Sequence, residues 1–274
     1  METEILKSFL RDQNIYRYYL KQLWRHKSDW HYIYFNVMCR VWRLFFNHRV
    51  DSQPIWEREW DILLLMDACR YDSFLQLLNQ IKFPCKITYS IEEYVSLGSG
   101  TMEYVKNNFV GRRFNDIIYI TANPIPTILC KNCFYKNIPL WKFCWDKKYD
   151  TVPPEMAIKY SLPFIKKYRD KRIIIHFLQP HFPTKNYHGL FWRLVLEDRE
   201  KAIKYYYENL KWIWLNLIDL ITYLKNHIKN RKIVVSSDHG QAFGERYGLF
   251  KIYSHPNYVH VPILLKVPWL TIHT

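Results

Sequence analysis

Strands alternating with helices along the chain predict an α/β protein: a mostly parallel central sheet with helices on both faces, preceded by a helical N-terminal extension. Three observations carry this expectation. Short apolar runs recur from about residue 60 onward, at 62–66, 116–121, 172–178 and 232–236. Between them lie segments of helical length and periodicity, over 70–79, 102–109, 154–168 and 197–230. The runs are apolar without a break rather than alternating, as strands covered on both faces are. Apolar residues at 49% and charged residues at 24% fit a folded globular chain, and only 7 glycines in 274 residues exclude a collagen-like, linker-rich or glycine-repeat protein.

The elements follow in order. Residues 1–58 form a first region rich in Tyr, Trp, Arg and Lys, with 16–19 and 41–46 reading as helical. This is either an amphipathic layer or a surface for anionic membrane or polymer. Residues 59–274 form the main domain. Its first strand, 62–66, leads into a helix over 70–79. A short strand at 86–89, a helix at 102–109 and a β-branched strand at 116–121 come next. Asp150-Thr151-Val152-Pro153-Pro154 has an Asp or Thr N-cap followed by prolines in the first turn of a helix. The strand at 172–178 is centred on Ile173-Ile174-Ile175, and strands at 232–236 and 262–267 close the domain.

No uncharged apolar run approaches the roughly 18 residues of a membrane span. The best stretch, 210–224, is interrupted by Lys211, Asn216 and Asp219. The N-terminus lacks the layout of a signal peptide, and six cysteines are too few for a disulfide scaffold. A cytoplasmic protein, peripheral to a membrane at most, is expected. Cys130-x-x-Cys133 with Cys144 reads as free thiols, with zinc binding as the alternative.

In open α/β sheets ligands bind beyond the carboxyl ends of the strands. Asp67 follows the first strand, Gln179-Pro180-His181 the strand at 172–178, and Asp238-His239 the strand at 232–236. Three strand ends carrying carboxylate or imidazole suit a divalent ion of borderline hardness. Gly240 permits a sharp turn after the pair. The stretch Ser96-Leu97-Gly98-Ser99-Gly100-Thr101 precedes a helix. It is either an anion-handling loop with a hydroxyl nucleophile or a plain N-cap.

Several segments together resemble a known family. They are Met66-Asp67-Ala68-Cys69-Arg70-Tyr71-Asp72, Gly98-Ser99-Gly100-Thr101, Tyr119-Ile120-Thr121-Ala122-Asn123-Pro124, His176-Phe177-Leu178-Gln179-Pro180-His181-Phe182-Pro183, Ser236-Ser237-Asp238-His239-Gly240 and His255-Pro256. Over about 60–269 the chain resembles the alkaline phosphatase superfamily, and within it the sulfatase-like hydrolases common in archaea. The resemblance implies Asp67, Thr101, Asp238 and His239 as metal ligands, with Thr101 also the nucleophile. It implies His181 and His255 as catalytic groups and Arg70 and Ser99 as substrate-binding residues, Ser99 also being a fallback nucleophile. The cofactor implied is a divalent ion (Mn, Zn or Mg), and the substrate an anionic ester.

Two departures refine the expectation. Sulfatases oxidise a Cys or Ser within a Pro/Ala and Arg pattern, whereas Thr101 is followed by Met102-Glu103-Tyr104-Val105. Phosphoesters are therefore expected over sulfate esters. Two-metal members carry an acidic ligand after the middle strand, and no Asp lies between Lys171 and Glu197. One ion is expected, as in lipoteichoic acid synthase-like phosphotransferases. The leading reading is a metal-dependent hydrolase or transferase of phosphoesters through a covalent threonine intermediate. A sulfatase is the second. A non-catalytic nucleic-acid or polymer binder is the third, supported by the net charge of +15 and 18% aromatics.

Overall fold

The computed structural model describes the backbone of residues 30–84 and 87–273 and the side chains of 34–84 and 87–272. The helical segment expected at 16–19, Cys85, and the start at Lys86 of the strand expected over 86–89 lie outside the described residues. The chain divides into two units, 1–47 and 48–274. In the first, α1 (Trp30–Phe46) buries Cys39 and Trp42 and leaves Tyr34, Val37 and Leu44 exposed. At 100° per residue these sets fall on opposite faces of one helix.

The second unit is built on a seven-stranded sheet. Its strands are β1 (Ile62–Asp67), β2 (Thr88–Val95), β3 (Phe114–Thr121), β4 (Phe134–Pro139), β5 (Arg172–Pro180), β6 (Ile233–Ser237) and β9 (Lys266–His273). They are ordered β2-β9-β6-β1-β5-β3-β4. Strands β6, β1, β5, β3 and β4 run parallel, while β9 runs antiparallel to both β6 and β2. The helices are α2 (Tyr71–Gln80), α3 (Thr101–Phe109), α4 (Pro124–Leu129), α5 (Pro154–Lys167), α6 (Phe191–Glu197), α7 (Arg199–His227) and α8 (Pro262–Leu265). A separate hairpin pairs β7 (Ala242–Tyr247) with β8 (Phe250–Ser254).

Every residue of β1 is buried, and the period-2 alternation of a strand divides them between two cores. Ile62, Leu64 and Met66 join Ile173, Ile175 and Val235 and the apolar side of α7 in one core. Leu63 and Leu65 join Ile174, Val234 and the apolar residues of α3 in the other. The unbroken apolar runs are thus the signature of a sheet with two covered faces. The first core is pinned by Trp214 of α7, fully buried against Phe74 and Phe83. Its indole N–H donates to the Ile81 carbonyl at 3.1 Å.

Two local expectations are corrected. Residues 262–267 do not form the last strand. Pro262 opens the single helical turn α8, because its fixed φ and missing N–H suit a first helical position, and the strand starts at Lys266. The helix α5 has Pro153 at its N-cap position and no side-chain cap. Thr151 Oγ1 instead accepts from Gln179 Nε2 at 3.1 Å.

Trp214→Ala removes a large buried ring and its hydrogen bond, and a cost of about 3–5 kcal/mol is expected. Urea unfolding with an unchanged slope should read this as a lowered midpoint.

Candidate active site

The carboxyl ends of β1 and β6 are adjacent in the sheet, which places Asp67 beside Asp238 and His239. The backbone turns sharply after Asp67. Ala68 has φ 66°, the left-handed region that a residue with a Cβ rarely adopts. The turn is held from both sides. Ala68 N donates to Asp238 Oδ1 at 3.2 Å and Cys69 N to Ser237 Oγ at 2.8 Å. Tyr206 of α7 donates its hydroxyl to the Ala68 carbonyl at 2.9 Å and accepts from Arg70 N at 3.0 Å. After β6, a Cβ on Gly240 would lie 2.1 Å from the Ile263 carbonyl oxygen, so only glycine lets α8 approach the metal-type pair.

Thr101 enters this corner from the first turn of α3. Its hydroxyl donates to Asp238 Oδ2 at 2.8 Å and lies 3.3 Å from His239 Nε2. His239 Nε2 is 3.4 Å from Asp67 Oδ1 and 3.6 Å from Asp238 Oδ2. His239 Nδ1 donates to the Gly240 carbonyl at 2.8 Å, which aims Nε2 at the two carboxylates. All four residues are buried.

His239 and Asp238 shift in opposite directions. Burial pulls the His239 pKa down, but the Asp238 charge and the Asp67 carboxylate outweigh it and hold it at about 9. Burial pushes the Asp238 carboxyl up, and the His239 charge, the nearby His176 ring and the bond from Thr101 overcome it, leaving it below the usual carboxylate range.

A divalent cation fits this donor set. Asp67 Oδ1 is buried without a hydrogen-bond partner, an expensive state for a carboxylate oxygen unless a cation faces it. Asp67, Asp238 and His239 each bring a ligand atom within 4.8 Å of the others, and among the described residues no other group of three or more metal-type side chains does so. Cys130 and Cys133 are buried and, with Cys144, are free thiols.

The two remaining histidines meet at one side. His181 follows β5, its backbone fixed by His181 N to the Asp67 carbonyl at 3.0 Å and by Asn209 Nδ2 to the His181 carbonyl at 3.0 Å. Its Nε2 is 3.3 Å from His255 Nε2. His255 Nδ1 bonds Gln241 Oε1 at 2.7 Å, and its ring lies 4.6 Å from that of His239. Burial, with the charges of His239 and His181, holds the His255 pKa well below the ordinary histidine value. Arg70 instead pairs with Asp72 at 2.5 Å and Glu245 at 2.6 Å. Ser99 is bound away from the cluster, its hydroxyl 2.9 Å from the Pro256 carbonyl and 3.0 Å from Glu103 Oε2, with one proton to give to either.

Two neighbours were not singled out for the site by sequence. Asn123 Nδ2 donates to Asp67 Oδ2 at 2.7 Å and lies 3.5 Å from Thr101 Oγ1. It follows β3, so the strand-end rule that finds Asp67 reaches it too. His176, fully buried in β5, holds Nδ1 3.0 Å from the Tyr119 hydroxyl, with Nε2 3.6 Å from Asp238 Oδ2. Nothing in an apolar strand signals that contact.

Solved structures share this arrangement of sheet and helices. The C-terminal periplasmic domain of EcEptC from Escherichia coli, solved as a complex with Zn, superposes with a TM-score of 0.53 at 11% identity, over 81% of this chain and 75% of that one. The soluble domain of lipooligosaccharide phosphoethanolamine transferase A from Neisseria meningitidis gives 0.50 at 13% identity, over 82% and 78%. The chain shares the fold of these transferase domains. A third alkaline-phosphatase-like domain, the C-terminal periplasmic domain of phosphoethanolamine transferase EptC from Campylobacter jejuni, aligns at 16% identity over 78% and 79%, with a TM-score of 0.48. No protein-family model and no curated protein matches the sequence.

In the metal-free protein, the raised His239 pKa contributes stability that is complete below about 6.5 and lost as pH rises through about 9. Thermal unfolding without divalent ions should therefore weaken over that window. Zn²⁺ binding must displace the same proton, so its affinity by calorimetry should climb with pH up to about 9, and Asp67→Asn should lower it by at least about tenfold.

Proposed function

We propose that the protein transfers or hydrolyses phosphoesters, with Thr101 as nucleophile and one divalent ion held by Asp67, Asp238 and His239. The observation that carries this reading is the Thr101 hydroxyl, buried and bonded to Asp238 Oδ2 at 2.8 Å beside His239. An unactivated threonine is a weak nucleophile, and this corner supplies both a proton acceptor and a place for a cation. When bound, the ion lowers the hydroxyl pKa and neutralises the non-bridging oxygens of the ester.

Thr101 Oγ1 attacks phosphorus in line. Its bond to phosphorus forms as the ester P–O bond breaks, and the hydroxyl proton passes to the Asp238 carboxylate. The departing oxygen takes a proton from the His181–His255 pair, whose two Nε2 atoms lie 3.3 Å apart. Asn123 Nδ2, between Asp67 and Thr101, orients the carboxylate and offers a donor to the developing charge. An acceptor hydroxyl, from water or an alcohol, then attacks phosphorus and gives up its proton to the same pair, while the bond from phosphorus to Thr101 Oγ1 breaks and Oγ1 takes its proton back from Asp238. Threonine cannot yield the oxidised aldehyde of sulfatases, which favours phosphate over sulfate.

With Mn²⁺ or Zn²⁺ present, Thr101→Ala and Asp238→Asn should each cut turnover of aryl phosphates by at least about 10³-fold while thermal unfolding still shows a folded protein. Intact-mass analysis after acid quench should find a phosphoryl adduct on Thr101. Aryl sulfates turned over faster than aryl phosphates, or full activity in Thr101→Ala, would overturn the reading.

A second reading concerns α1. The exposed Tyr34, Val37 and Leu44 share a face, and the exposed Arg40 stands beside it. We propose that this face rests on an anionic lipid surface, since an apolar stripe flanked by arginine suits the headgroup boundary. The full chain should sediment with vesicles containing phosphatidylglycerol and much less with phosphatidylcholine alone, and Leu44→Ser should weaken binding. Equal binding to both vesicle types would refute it.

A further inference from the structure

The helix that carries Thr101 is capped in an unusual way. In a capping box, a Ser or Thr at the N-cap accepts the third-residue N–H, and a Glu at that third position accepts a backbone N–H in return. Here the N-cap of α3 is Gly100, which has no side chain. Glu103, the third helical residue, accepts from Ser99 N, one residue before the N-cap, at 3.1 Å. The other half comes from a distant segment, with Glu103 N donating to Asn257 Oδ1 at 3.1 Å. A Cβ on Gly100 would lie 2.7 Å from that same oxygen and 3.0 Å from the His255 carbonyl. The glycine therefore makes room for a cap supplied from outside.

The same segment is bound at further points. Glu103 Oε2 accepts from Tyr258 N at 2.8 Å, and Glu103 Oε1 lies 2.6 Å from His260 Nε2. Ser99 Oγ accepts from Val259 N at 3.1 Å and donates to the Pro256 carbonyl at 2.9 Å. Glu103 is only 2% exposed, so these bonds are sheltered from water. One end of the welded block carries Thr101, two residues before Glu103. The other carries His255, two residues before Asn257.

We infer that Asn257 and Glu103 are positioning residues, and that the cap shared between 99–103 and 255–260 fixes His255 relative to the Thr101 hydroxyl. The inference rests on the proposed roles of Thr101 and His255. It also accounts for Ser99, which the geometry makes a fastener of this block. A local cap would stabilise α3 equally well but would leave the His255 segment without its bond from Glu103 N.

That difference supplies the test. Asn257→Ala should lower Tm by about 2–4 °C through loss of the cap. Adding Gly100→Ser places a local cap in the vacated space. Gly100 already has the extended backbone of an N-cap, with φ −162° and ψ 159°. The double variant should regain the Tm. Yet its 254–260 segment should exchange amide hydrogens at least about tenfold faster than in the parent, and kcat should stay about 10–100-fold down with KM within twofold. A double variant that recovers kcat together with Tm makes the role purely structural and overturns the inference. So does unchanged exchange over 254–260. Thr101→Ala, assayed alongside, separates the two ideas: if it stays active, the nucleophile assignment falls, while the exchange rates still decide whether the shared cap ties the segment.

Discussion

Two carboxylates and an imidazole buried together at the ends of neighbouring strands set the terms for the rest of this molecule. Asp67, Asp238 and His239 are all but inaccessible to water, and charge in such a place is costly unless every oxygen and nitrogen has a partner. The surroundings meet most of that demand. Asp238 Oδ1 accepts from the backbone N–H groups of Ala68 and His239, and Asp67 Oδ2 from Asn123. The left-handed turn at Ala68 is what brings the first of these donors to bear. What is left over, Asp67 Oδ1 facing His239 Nε2, is the corner whose donors fit a cation.

The overall charge and the site have opposite sign, and the two act over different ranges. The net +15 of the chain would draw the anionic ester of the proposed reaction from a distance, within the reach that salt allows. At contact, the two aspartates would repel it. In the proposed reaction, a cation at the carboxylates would reverse the local sign where the ester must sit. Much of the acidic complement is engaged elsewhere, with Glu92 on Arg58, Asp116 on Arg172 and Glu59 on Lys232.

The buried half of the sheet was legible in the sequence because its strands carry an unbroken apolar signal. β1, β3, β5 and β6 all begin or end within two residues of the expected positions, and the strand-end rule then leads to Asp67, His181, Asp238 and His239. The edges were harder to read. β4 lies at one edge with only partial burial and β2 at the other with mostly exposed residues, so neither shows a clean alternation, and β2 runs on to Val95. The β7–β8 hairpin contains Gly244 and buries only Ala242, Phe243 and Ile252, too few to give a readable period. His176 escaped for a different reason. Its importance comes from Asp238 across the sheet, and a neighbour 62 positions away leaves no local trace.

The position of β1 also bears on how the chain reaches its folded state. This strand is flanked by β5 and β6, whose paired residues lie more than a hundred positions downstream. A ribosome makes it early, yet its edge toward β5 stays open until Pro180 has emerged and its edge toward β6 until Ser237 has. Pairings of such long sequence separation form slowly, and an apolar segment with bare edges is prone to self-association meanwhile. The corner that needs Asp67 and Asp238 together is therefore among the last parts to be assembled, and a nascent chain depends on shelter for its most hydrophobic strand until then.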